Sequence, residues 1–87
     1  MRPIARKSDL VVKKDTGQLY IEDVENHKYI FLNPTSAFVW ERCDGCKDET
    51  VIAREMGEEL GVPVSKSVVS TIMNKLFAEE LLVPEFM

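Results

Sequence analysis

Eighty-seven residues give room for one small domain and no second core. An apolar fraction of 45% supports a packed interior, while 30% charged residues and a net charge of −4 describe a mildly acidic surface without the basic footprint that nucleic-acid binding leaves. No apolar run approaches the ~20 residues of a membrane-spanning helix.

Residues 1–8 are polar and basic and contain Pro3, which predicts a loosely held N-terminal arm. No apolar stretch follows Arg2, Arg6 and Lys7, so the segment does not read as a secretory signal; a cytoplasmic protein with reduced cysteines is expected. Residues 10–14 (LVVKK) form a first short strand, and Asp15-Thr16-Gly17 supplies turn chemistry. Residues 18–24 alternate: Leu19, Ile21 and Asp23 point one way, Tyr20, Glu22 and Val24 the other. A second turn follows at 25–27, with Asn26 expected to take the left-handed conformation. Residues 28–32 (KYIFL) are the third strand. Three strands joined by short turns make a meander, which leaves this third strand as an edge with unpaired backbone groups. Which of its parities, Tyr29 and Phe31 or Lys28, Ile30 and Leu32, faces a groove beside that edge is open, because a one-residue slip exchanges them.

The chain then turns directly into helix. Asn33 suits an N-cap and Pro34 the first helical position, and Ala37, Trp40 and Cys43 recur at helical spacing until Asp44-Gly45. Asp48 caps a second helix with Ile52, Met56 and Leu60 on its apolar face. Gly57, which costs about 1 kcal/mol relative to Ala, reads as a site of close helix approach. Gly61 ends that helix, and residues 62–64 link it to a third, capped by Ser65 and running to about residue 80. The apolar residues of the third helix, Val68, Val69, Ile72, Met73, Leu76 and Phe77, cover roughly half its circumference, wider than the usual stripe of ~100°. Val69, Ile72 and Leu76 lie near the centre of that arc and are expected in the core. Val68 lies at one margin; Met73 and Phe77 lie at the other, beside Lys66 and Ser70. The excess width suggests a second contact surface. Residues 81–83 add a short extended piece and 84–87 a tail, so the expected domain spans 9–83.

Chemistry-bearing motifs are scarce. Cys43-Asp44-Gly45-Cys46 is a C-x-x-C, but His27 is the one histidine and there is no third cysteine, so a four-ligand zinc site is incomplete. Its place at the end of a helix, the negative pole of the dipole, also discourages a reactive thiolate. No metal, no cofactor and no catalytic residue is expected, hence no enzyme. The polar side of the third helix, after a sheet, allows an alternative reading as a winged-helix DNA-binding or dimerising regulator, against which the acidic balance weighs.

The order LNPTSAFVWERCDG, then apolar Ile52 and Met56, then Val69, Ile72, Met73 and Leu76 running into Leu81-Leu82, resembles the PqqD-like family (coenzyme PQQ synthesis protein D and its relatives). Glu80 stands where that family often has Gly, and Cys46 is not a family feature. The resemblance implies an α+β fold: a three-stranded antiparallel meander followed by a three-helix bundle, winged-helix-like in shape. It further implies a peptide chaperone of natural-product biosynthesis, a RiPP recognition element. Such a protein binds the leader segment of a ribosomally made precursor peptide between the third strand and third helix. It presents that leader to a modifying enzyme, often a radical S-adenosylmethionine enzyme. The expected partners are thus peptide and enzyme, not nucleic acid or membrane, with the protein a monomer or homodimer. On that reading the peptide meets Lys28, Tyr29, Ile30, Phe31 and Leu32 of the strand and Lys66, Val69, Ser70, Met73 and Phe77 of the helix. Pockets near Tyr29, Phe31, Met73 and Phe77 would take apolar side chains, and Lys28 or Lys66 would meet leader carboxylates.

Overall fold

The computed structural model describes residues 2–83. In chain order its elements are β1 (Ile4–Ala5), β2 (Leu10–Asp15), β3 (Gln18–Asp23), β4 (Lys28–Leu32), α1 (Pro34–Arg42), α2 (Glu49–Leu60), α3 (Lys66–Ala78) and β5 (Leu82–Val83). This is an α+β fold. The antiparallel meander has the order β2-β3-β4, and a second ribbon pairs β1 with β5. The tail expected at 84–87 lies outside the described residues.

The β2–β3 hairpin turns on two residues, Thr16 at φ +49° and Gly17 at φ +83°. Two successive positive φ values give the turn whose twist matches the flanking strands, and Gly17 accepts its share without steric cost. A two-residue turn makes Asp15↔Gln18 a hydrogen-bonded pair and fixes the phase of everything beyond it. Gln18, Tyr20 and Glu22 then bond to β2, and the Val24 N–H to Asp9 C=O bond of 2.9 Å continues that alternation. Leu19, Ile21 and Asp23 bond the other way, to Leu32, Ile30 and Lys28 of β4. The remaining two residues of β4, Tyr29 and Phe31, direct their N–H and C=O groups away from the sheet.

The same register settles the parity of β4. Leu19 and Ile21 of β3 and Ile30 and Leu32 of β4 are buried against Ala37, Val39 and Trp40 of α1. Tyr29 and Phe31 share the outer face with Tyr20. Beneath the sheet, α1 packs on β3 and β4, and α3 packs on α1, α2 and β5.

The helices begin as their caps dictate. Asn33 Oδ1 accepts from Ser36 N–H at 2.8 Å, Asp48 Oδ1 from Val51 N–H at 3.0 Å, and Ser65 Oγ from Val68 N–H at 3.4 Å. The end of α1 differs from expectation. It stops at Arg42, and Cys43 is already extended, because its carbonyl accepts Ala5 N–H at 2.8 Å and Gly45 N–H reaches the Pro3 carbonyl at 3.1 Å. The N-terminal segment pulls the chain out of the helix. That segment is therefore not a loose arm over residues 4–6: Ile4 pairs with Val83, Ala5 with Leu82, and Arg6 N–H bonds Leu81 C=O at 2.9 Å. Backbone pairing holds it, which a hydropathy pattern does not register.

Two further differences are local. The left-handed residue of the second hairpin is His27, at φ +55°, while Asn26 bonds the Asp23 carboxylate through both its backbone N–H and its side-chain amide. A Cβ at Gly57 would lie 3.0 Å from the Val62 carbonyl, so the close approach at that glycine is to the folded-back linker and not to another helix.

Candidate functional site

The meander ends at β4, and among the described residues no strand pairs with its outer side. Four backbone groups, the N–H and C=O of Tyr29 and Phe31, line that vacant edge. An edge of this kind accepts another strand readily.

The turn before β4 is held firmly. Asp23, fully buried, receives the Arg6 guanidinium in a fork, Nη1 to Oδ2 at 3.0 Å and Nη2 to Oδ1 at 3.1 Å, and Asn26 Nδ2 at 2.8 Å. These donors, Arg6 foremost and Asn26 next, hold the carboxyl far below its ordinary range against the opposing effect of burial. Arg6 also bonds Glu25 at 3.0 Å, so the β1 segment anchors the β3–β4 turn from below.

On the helix side, Lys28 Nζ meets Glu79 Oε1 at 3.2 Å, joining the start of β4 to the C-cap of α3. Glu79 marks the flank of α3 turned toward β4. Ile72 and Val68, seven and eleven residues earlier, fall on that same flank by helical repeat. Val68 is exposed and Ile72 half-buried. Phe77 lies on the opposite flank, beside Arg6, Glu25, Asn26 and Leu82. Lys66 and Ser70 share its flank by the same repeat.

The structure thus divides the ten sequence candidates. Lys28, Tyr29 and Phe31 are at the edge; Ile30 and Leu32 face the core and contribute backbone bonds to β3. Val69 and Met73 are core residues, 0% and 3% exposed, and Lys66, Ser70 and Phe77 lie on the far flank of α3. Tyr29 and Phe31 are consequently not neighbours of Met73 and Phe77: they are on the outer face of the sheet and the helices are on the inner one. Sequence reasoning placed Val68 only at a margin of the arc and Ile72 at its centre. What reveals the orientation of the helix is the Lys28–Glu79 pair, which no periodicity contains. Lys28, offered as a partner for a guest carboxylate, already has one in Glu79.

The cysteines are a different matter from the site. Cys43 is buried, its thiol donating to Val39 C=O at 3.1 Å, and burial, helped by Asp44, pushes its pKa up to about 12. Cys46 is exposed. Among the described residues no three His, Cys, Asp or Glu side chains gather to hold a metal, and no helix is long and apolar enough to cross a membrane.

The family model described as coenzyme PQQ synthesis protein D (PqqD) matches residues 19–82, from the first buried residue of β3 to β5. The chain belongs to the PqqD family. Its fold is similar to the solved structure of TbiB1 in complex with the TbiA(beta) leader peptide, with a TM-score of 0.70 over 91% of this chain and 94% of that one, at 16% identity. None of the curated proteins matches the chain. In this PqqD-family chain the outer edge of β4 pairs with no described strand, and Val68, on the flank of α3 that Glu79 shares, is exposed.

Proposed function

We propose that this protein is a non-catalytic peptide chaperone. It binds the leader segment of a ribosomally made precursor peptide as an added strand on β4, flanked by α3, and presents it to a modifying enzyme. In keeping with the family resemblance, that enzyme is a radical S-adenosylmethionine enzyme.

The observation that carries the reading is the row of four backbone groups at Tyr29 and Phe31, on an edge with which no described strand pairs. Main-chain bonds supply affinity that is indifferent to sequence; the side chains beside the edge supply selection. Membership of the PqqD family and likeness of fold to TbiB1, a protein solved with a leader peptide, support the same reading. The test is to search the reading frames beside the gene for a short precursor and to titrate its peptides into the protein by calorimetry. The full precursor and its isolated leader should bind with one site per chain, and the remainder of the precursor should give no heat. Binding of the remainder alone, or of neither part, would contradict the proposal.

A further inference from the structure

A guest strand on β4 has its phase dictated in advance. In an antiparallel ladder, Tyr29 and Phe31 each form a two-bond pair with one guest residue, so two guest residues, separated by one, sit directly opposite them. Residues opposite one another in a ladder project to the same face. The guest residues that make the backbone bonds therefore carry their side chains to the outer face, beside Tyr29 and Phe31. The residue between them, and the next residue beyond either, turn to the helix side.

The outer face is shaped for such company. Tyr29 is 82% exposed and Phe31 53% exposed, an unusual outlay of aromatic surface in so small a domain. The Phe31 ring leans on Tyr20 at 5.3 Å between centroids. With Val11, Lys13 and Glu22 these rings border a mainly apolar hollow of about 330 Å³ over the middle of the outer face, inward of the β4 edge. Cross-strand aromatic and apolar pairs are the contacts that stabilise a ladder, and Tyr29 at present has none on its open side.

We propose that the outer sheet face is a specificity surface. The bound peptide places two apolar or aromatic side chains, at positions i and i+2, against Tyr29 and Phe31, with the residue at i+1 turned to Val68 and Ile72. This rests on the strand-addition reading and goes beyond it by assigning selectivity to the face opposite the helices. A partner peptide is then recognised by an apolar–any–apolar triplet, and not by side chains buried between strand and helix alone.

The probe is a library of twelve-residue peptides, randomised throughout and selected on the intact protein. Selected peptides are titrated into wild type, into the double variant Tyr29→Thr with Phe31→Thr, and into Tyr29→Thr alone. Threonine keeps strand propensity, and Tyr29 is too exposed to matter for folding. Backbone amide signals of residues 28–32 report whether the edge is used. The expected result is enrichment of apolar or aromatic residues at two positions one residue apart. The double variant should bind about tenfold more weakly, and the single variant should show a smaller loss of the same kind, with the edge signals still shifting. Peptides that shift those signals but show no paired preference, and bind the double variant as well as wild type, overturn this inference and leave strand addition standing. Peptides that bind without touching residues 28–32 overturn both.

Discussion

Asp23 is the residue on which the geometry of the edge turns. It is a carboxylate with no exposure, held by Arg6 and Asn26, and it fixes the β3–β4 turn to the N-terminal ribbon. Its folded pKa lies far below the ordinary 3.8, chiefly through the Arg6 hydrogen bonds. A depressed carboxyl pKa contributes stability in full above the unfolded value, and that contribution is lost as pH falls toward the folded one. The urea midpoint should therefore hold steady from neutral pH down to about 4 and decline below it. Asp23→Asn should lower the midpoint at pH 7 and flatten the decline; an unchanged acid limb in that variant would remove Asp23 from the account. The cysteines give a second prediction. At pH 8 a thiol reagent should modify Cys46 rapidly and Cys43 only on unfolding, because burial keeps the Cys43 thiol protonated and covered. Two equally fast thiols would contradict the buried placement.

At the level of helices and strands, α3 separates what sequence reveals from what it withholds. Its cap, its length and its apolar arc are all legible, since each depends on neighbours in the chain. Its rotation is not. Six apolar residues spread over half a circumference leave several orientations with similar burial, and the choice is made by distant elements: α1, α2 and β5 pack against α3 and bury Val69, Met73 and Leu76. The strands behave alike. The parity of β3 is legible because its alternation is clean, with Leu19, Ile21 and Asp23 against Tyr20 and Glu22. KYIFL is apolar on both faces, so the parity of β4 is inherited from its register with β3, set across the 24–27 turn. The N-terminal ribbon was not legible because backbone pairing with residues 82–83 leaves no trace in composition. The rotation of α3 yields a paired prediction. Met73→Ala should cost about 2–5 kcal/mol of stability, as expected for a buried side chain, with peptide affinity unchanged once the protein is folded. Val68→Asp, at an exposed position, should leave stability within about 0.5 kcal/mol and weaken peptide binding. The reverse pattern would mean that Met73, not Val68, lines the peptide path.

For the molecule as a whole, the two halves of the fold have separate tasks. The helices and the β1–β5 ribbon form the body that holds one strand straight, and the meander leaves that strand with a vacant side. The order β2-β3-β4 with α1 beneath it buries one face of β4 and satisfies one of its two edges. Everything the protein is proposed to do depends on the other edge being open in the free protein and closed in the complex. Residue-resolved amide hydrogen exchange tests this directly. In the free protein Ile30 and Leu32, bonded to β3, should exchange slowly and Tyr29 and Phe31 fast, an alternation within a single strand. On binding a leader peptide Tyr29 and Phe31 should become protected while Ile30 and Leu32 stay as they were. Slow exchange at Tyr29 and Phe31 in the free protein, or fast exchange that persists in the complex, would contradict the account.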